Sequence, residues 1–248
     1  MRSEADGAPS FVHLPGLRAA GGEFGIAGDE AHYLRRVVRV RAGERVTASD
    51  GEGTLAELRV VTLDPELRVE RSALRQVERR GRLEVWCGAP EGDRADWLVE
   101  KLAELGVATL RPVDGERGGW ERLTRRTERW ERLATAALRQ SRSAYRLVIA
   151  PPARLDETMA AAGVLDAAYL ADVAGSRFAA PPSTGLLRVA AAIGPSSGFS
   201  AGEIKQLVDK GFVPTRLAAS RLRTETAAVA MAAVVAAALP ALLEVAGP

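Results

Sequence analysis

The chain has 248 residues, 47% of them apolar and 27% charged, a foldable mixture with room for one large domain or two smaller ones. A formal net charge of +2 does not by itself announce a nucleic-acid partner. One cysteine, Cys87, and two histidines, His13 and His32, exclude a disulfide framework and a cysteine-cluster zinc site, and no metal is expected.

Charge distribution says more than total charge. Arg35, Arg36, Arg39 and Arg41 cluster in seven residues, and residues 117–146 hold nine arginines against three glutamates. A GC-rich genome explains why arginine outnumbers lysine 31 to 3, but not the clustering. Such clusters pair with phosphates. The first residues lack the basic-then-apolar pattern of a secretion signal, so a cytoplasmic protein is expected. The longest apolar run, Ala227 to Leu243, is mostly alanine and is broken by Pro240; it reads as a buried helix, with no membrane partner.

In chain order, the first 75 residues read as short strands and turns forming a small barrel or sheet. His32–Val40 is amphipathic and suits a short helix laid across it. Arg45–Ser49 and Thr54–Leu63 are strand-like and joined by Asp50-Gly51-Glu52-Gly53, a hairpin signal; Val69–Val77 continues the style. A second region, 76–248, alternates strands with helices, which predicts a mostly parallel sheet covered on both faces, an α/β fold. Its strands are Leu83–Cys87, Val107–Val113, Leu147–Ala150, Ala167–Ala171, Leu186–Ile193 and Val213–Ala218. Between them, Asp93 caps a helix with Leu98, Leu102 and Leu105 inward, closed by Gly106. A long helix from about Trp120 to Gln140 turns Leu123, Thr127, Trp130, Ala134 and Ala137 to one side. Ser200-Ala201-Gly202-Glu203 is a capping box whose helix ends at Gly211.

The nucleotide loops G-x-x-x-x-G-K-[ST] and G-x-G-x-x-G are absent, and so is the G-x-S-x-G nucleophile elbow. What stands out is a pair of bends. Ile193-Gly194-Pro195-Ser196-Ser197-Gly198-Phe199-Ser200 ends an apolar strand, and Arg221-Leu222-Arg223-Thr224-Glu225-Thr226-Ala227 precedes an alanine-rich helix. Small residues at strand ends let backbone approach a ligand. The second segment taken alone also suits a salt-bridged helix start, with Thr224 as cap and Glu225 favoured by the helix dipole.

Together and in this order, the pair resembles the uracil-N3 methyltransferase family of small-subunit ribosomal RNA, in the SPOUT class of trefoil-knotted methyltransferases. There the segments usually read I-G-P-E-G-G-F-S and L-G-x-R-I-L-R-T-E-T-A. The resemblance spans almost the whole chain. His32–Arg39 resembles the family's H-x-x-x-V-L-R segment in an N-terminal PUA-like β-barrel that binds RNA. Lys101-Leu102-Ala103-Glu104-Leu105-Gly106-Val107 is similar to K-x-x-E-L-G-V, Glu116-Arg117 falls where S-E-R-S is expected, and Arg129-Trp130 with Gln140-Ser141-Arg142 matches R-W…Q-S-x-R.

The resemblance implies a C-terminal α/β-knot domain, S-adenosylmethionine as cofactor, a homodimer, and methylation of a uridine in 16S ribosomal RNA or the small ribosomal subunit. It places cofactor contacts at Ala171, Ile193, Gly194, Pro195, Gly198, Leu217, Ala218, Leu222, Arg223 and Thr226, and RNA contacts at Arg35, Arg36, Arg39, Arg117, Arg129 and Arg142. The sequence departs from the family at Ser196-Ser197, where Glu-Gly is usual, at Ala218-Ala219-Ser220, at Gly118 and at Arg139. The first bears on loop shape or removes a carboxylate, and the second stiffens a turn that in the family brings backbone close to the cofactor.

A sulfonium methyl group is already electrophilic, so the acceptor sets the difficulty. Uracil N3 carries a proton and lies inside base pairs, so it must be exposed and then deprotonated. Arg223 is the choice for stabilising the charge that develops on the uracil carbonyls, with Arg142 as the second candidate. Glu225 and Glu116 are candidate bases, although each better suits fixing an arginine, and hydroxide would also serve. Two other readings remain open at this level: a SPOUT enzyme acting on a transfer-RNA ribose 2′-hydroxyl, and a non-catalytic RNA-binding assembly factor.

Overall fold

A computed structural model describes residues 9–116, 119–120, 125–181 and 187–239. Expectations placed on Arg117, Gly118, Leu123, Leu186 and Pro240 to Leu243 lie outside those residues. The chain divides into two compact units, one built from residues up to Glu78 with Leu138–Tyr145, the other from Arg79–Ala137 and the described residues from Arg146 on.

The first unit is a five-stranded sheet. Its strands are β1 (Ser10–His13), β2 (Glu23–Ile26), β3 (Arg45–Ser49), β4 (Thr54–Thr62) and β5 (Leu67–Gln76), in the order β1-β3-β4-β5-β2. The hairpin between β3 and β4 forms at the expected turn: the Asp50 carboxylate accepts from the Glu52 and Thr54 amides at 2.8 Å each. Alternation along β4 sends Ala56, Leu58 and Val60 into a core shared with Val12, Leu67 and Val69. The amphipathic segment starts earlier than its hydrophobic spacing predicts. Helix α1 (Gly28–His32) runs into a wider π-type turn, Tyr33–Val38, which buries Leu34 and leaves Val37 exposed.

The second unit carries seven strands: β6 (Gly81–Cys87), β7 (Thr109–Asp114), β8 (Val148–Ile149), β9 (Ala153–Arg154), β10 (Ala167–Arg177), β11 (Leu187–Ile193) and β12 (Val213–Arg216). All pairings are parallel, in the order β12-β10-β11-β6-β7-β8, with β9 also beside β7. Its helices are α2 (Arg94–Glu104), α3 (Thr127–Ser141, whose last residues belong to the first unit), α4 (Leu155–Ala161), α5 (Ala201–Asp209) and α6 (Thr224–Ala238). Central strands β6 and β11 are buried at almost every position, as a sheet covered on both faces requires. One face packs Leu98, Leu102, Trp130, Met231 and Val235; the other packs Trp86, Leu155, Leu207 and Phe212.

Several local expectations shift. Asp93 precedes α2 without capping it, because its carboxylate accepts from Arg126 instead. The long helix begins at Thr127, not near Trp120, and Thr127 is exposed while Trp130, Ala134 and Ala137 are buried. Strand β10 runs six residues beyond Ala171, and α4 had no signal in the sequence pattern. The Ser200–Glu203 box forms as read, with the Ser200 hydroxyl accepting from the Glu203 amide at 3.1 Å and the carboxylate accepting from Ser200 at 2.7 Å.

Candidate active site

Strands β10, β11 and β12 are neighbours and parallel, so their carboxyl ends open on the same side of the sheet, where α/β folds place ligands. A cavity of about 500 Å³ lies there, within the range of small-molecule sites.

The bend after β11 forms its first wall. A turn closes it, with the Gly198 amide donating to the Pro195 carbonyl at 2.7 Å and Gly198 at φ +76°. Gly194 admits no side chain, because a Cβ there would lie 2.8 Å from the Phe199 nitrogen. The bend is also pinned from behind. The Gly88 amide donates to the Ile193 carbonyl at 2.8 Å, and a Cβ on Gly88 would come within 2.3 Å of the Pro195 nitrogen.

The second wall follows β12, from Leu217 into the first turn of α6. Arg223 is the residue that caps α6, in extended conformation and without a side-chain bond. Thr224, expected as the cap, is the first helical residue, and its hydroxyl is spent across the cavity: it donates to the Gly194 carbonyl at 3.1 Å. Arg221 donates to the Ser196 carbonyl, a second tie between the bends. Glu225 is buried and paired with Arg94 from the start of α2, which neutralises the carboxylate. Burial, and then the negative charge of Glu225, push the Cys87 thiol far above its ordinary pKa, so it is a packing residue.

The cavity gathers Ala171, Ile193, Gly194, Pro195 and Gly198 with Leu217, Ala218, Leu222, Arg223 and Glu225. Thr226 falls outside the lining: it is exposed on α6 between Glu225 and Ala227, which the helical turn aims inward. Arg142 belongs to the first unit, where its guanidinium donates to the Pro9 carbonyl at 2.9 Å, and does not line the cavity. Arg223 is exposed, and among the described residues no carboxylate pairs with it. Ser196 and Ser197 sit at the outer tip of the bend, and the turn closes without the usual Glu-Gly. The spacing of motifs missed Asp172, Val173 and Thr215, which also line the cavity. Their only signal was position, immediately after Ala171 or just before the end of β12.

The RNA candidates divide by engagement. Arg35 donates to the Leu63 and Pro65 carbonyls, and Arg129 pairs with Asp96 at 2.6 Å, so both carry structural work. Arg36 and Arg39 are exposed, with no partner among the described residues. Arg36 borders a cleft of the first unit beside His32 and Pro65.

The lining suits S-adenosylmethionine. Ile193, Leu217 and Leu222 present apolar surface of the kind that could hold a purine, the bend from Gly194 to Gly198 presents main chain with no side chain at Gly194, and the volume is adequate. Among the described residues no cluster of metal-ligating side chains occurs, and no helix is long and apolar enough to cross a membrane.

Comparison with known proteins agrees. Residues 77–236 match the RNA methyltransferase domain family, and residues 26–67 match the RNA methyltransferase PUA domain. The ribosomal RNA small subunit methyltransferase E of Mycobacterium bovis is 31% identical over 234 residues, covering 84% of each chain. A methyltransferase from Legionella pneumophila, solved in complex with S-adenosylmethionine, superposes with TM-score 0.79 at 25% identity over 93% of this chain and 98% of that one. The small subunit methyltransferase E from Neisseria gonorrhoeae, also bound to S-adenosylmethionine, has the same fold (TM-score 0.81, 24% identity, 93% and 98% covered). This chain therefore belongs to the RNA methyltransferase family, in the branch of the ribosomal RNA small subunit methyltransferase E enzymes.

Proposed function

We propose that the protein is a cytoplasmic enzyme that methylates N3 of a uridine in 16S ribosomal RNA, with S-adenosylmethionine as donor. The observation that carries this reading is the shared cavity, in which two bends tied by the Thr224–Gly194 hydrogen bond place Arg223, which pairs with no carboxylate among the described residues, beside apolar and main-chain lining. When bound, the cofactor supplies an electrophilic methyl group. The chain supplies position and charge. Ile193, Leu217 and Leu222 hold the adenine, and the bend after β11 donates and accepts through main chain. Arg223 would stabilise negative charge on the uracil carbonyls as the N3 proton leaves to solvent; the N3–methyl bond would form as the methyl–sulfur bond breaks, with S-adenosylhomocysteine as the leaving group. Glu225 keeps its partnership with Arg94 and orients the first turn of α6.

The exposed arginines of the first unit, Arg36, Arg39 and Arg142, with Arg117, hold the flanking phosphates, and extrusion of the base costs roughly a few kcal/mol. The carboxyl-terminal segment forms the knot of this class; its support is that β12 pairs with β10 on the side away from β11. The protein works as a homodimer. Helix α6 is apolar all round and leaves Val234 and Ala237 exposed, a surface suited to a second copy.

Nucleoside mass spectrometry on ribosomal and transfer RNA from a deletion strain tests the reading: 3-methyluridine should vanish from the small-subunit RNA alone. Intact 3-methyluridine there defeats it. Arg223→Ala should abolish most methyl transfer with cofactor affinity held within a few fold, and unchanged turnover removes the role given to Arg223.

A further inference from the structure

Strand β10 pairs with β12 in two registers. Ala171 faces Thr215, and so does Ser176, so Asp172–Gly175 are looped out of the ladder. Two contacts fix this loop. A Cβ on Gly175 would come 2.5 Å from the Pro214 carbonyl carbon and the Thr215 nitrogen, so the loop lies directly on β12. The Asp172 Oδ1 accepts from the Ala174 amide at 2.8 Å.

Asp172 is half-buried and lines the cavity. The other carboxylates there are disposed of: Glu225 is neutralised by Arg94, and Glu91 is exposed. Among the described residues nothing pairs with the second oxygen of Asp172. A partly desolvated carboxylate oxygen needs donors, and an ionised carboxylate accepts two to four hydrogen bonds.

We infer that Asp172 is a cofactor-binding residue that accepts hydrogen bonds from the vicinal hydroxyls of the donor's ribose. This rests on the methyl-donor reading of the cavity and adds a residue to it. A carboxylate on a loop packed against β12 matches a diol with both donors facing one anionic group, the pairing by which acidic residues recognise ribose in other α/β sites.

Asp172→Asn separates fold from binding. Its amide oxygen keeps the Ala174 turn, but an NH₂ replaces the second oxygen, so the negative charge and the acceptor that take both hydroxyl protons are lost. Calorimetry with S-adenosylhomocysteine and with 5′-methylthioadenosine, which keeps the ribose but lacks the amino-acid end, reads the effect. Affinity for both should fall roughly ten- to a hundred-fold, with the ligand-free unfolding midpoint unchanged. Unchanged affinities overturn the inference. Loss confined to S-adenosylhomocysteine also overturns it, moving the carboxylate to the ammonium end. Should the wild-type protein bind neither compound, the methyl-donor reading itself fails, and the assignment of Asp172 with it.

Discussion

The Thr224 hydroxyl donates to the Gly194 carbonyl at 3.1 Å across thirty positions of sequence, and with it the first turn of α6 is fastened to the bend after β11. Gly194 and Arg223 consequently face one cavity. A fixed positive charge and a main-chain cradle are held in one geometry by a bond that neither motif advertises.

Removing this bond without changing shape should loosen the cavity more than the fold. Thr224→Val is expected to lower stability by about 1 kcal/mol and to weaken S-adenosylmethionine binding several-fold, while Thr224→Ser restores both. Gly194→Ala should be worse, since its Cβ would meet the Phe199 nitrogen at 2.8 Å and the bend must open. Thermal unfolding with calorimetry checks the order wild type, Thr224→Ser, Thr224→Val, Gly194→Ala.

The Arg94–Glu225 pair joins α2 to α6 with one partner 45% and the other 4% exposed. Arg94→Met leaves a buried carboxylate unpaired and should cost about 1–3 kcal/mol, reduced by whatever solvent reaches Glu225. Adding Glu225→Gln should recover most of that loss. Denaturant unfolding of the four members of the cycle measures the coupling; additive losses would mean the two groups stabilise the fold independently.

How much of this was legible follows from the range of the interactions. Alternating strands and helices, the Asp50–Gly53 hairpin and the Ser200–Glu203 box are short-range patterns, and the structure realises them. The bends were legible as motifs because glycine and proline restrict backbone locally. Pairings between distant segments were not. Nothing near Thr224 announces Gly194, so its hydroxyl read as a cap; nothing near Asp93 announces Arg126. Asp172 escaped because the sequence ends the strand at Ala171, while the paired register resumes at Ser176. Thr226 was assigned from a motif without the helical rotation that turns it outward.

The first unit carries a pH-dependent contact. Glu30 accepts from Arg139 at 3.0 Å, and burial raises its pKa above the ordinary 4.5 although Arg139 opposes the shift. A carboxyl whose folded pKa exceeds its unfolded one favours folding most when protonated. Its contribution is complete below the unfolded value and is lost as pH rises through the raised folded value. Glu30→Gln cannot titrate, so its stability relative to wild type should increase with pH over that interval and level off above it. Unfolding midpoints of both proteins from acid to neutral pH check this; a constant difference would remove Glu30 as the titrating group.

Among the described residues, only two that are not glycine have positive φ, and both are arginines proposed to contact RNA: Arg39 at +60° and Arg142 at +55°. A left-handed conformation costs an L-residue about 1 kcal/mol or more, so evolution for stability alone would favour glycine at both positions. Among the described residues Arg39 is exposed without a partner, and Arg142 holds the Pro9 carbonyl from an exposed position. If these side chains serve phosphate, Arg39→Gly and Arg142→Gly should each raise stability by about 0.5–1 kcal/mol while weakening RNA binding. Each should also flatten the slope of log affinity against log salt by roughly one unit, because one phosphate contact fewer releases one counterion fewer. A variant that gains stability with an unaltered salt slope would show its arginine to be strained for some purpose other than RNA.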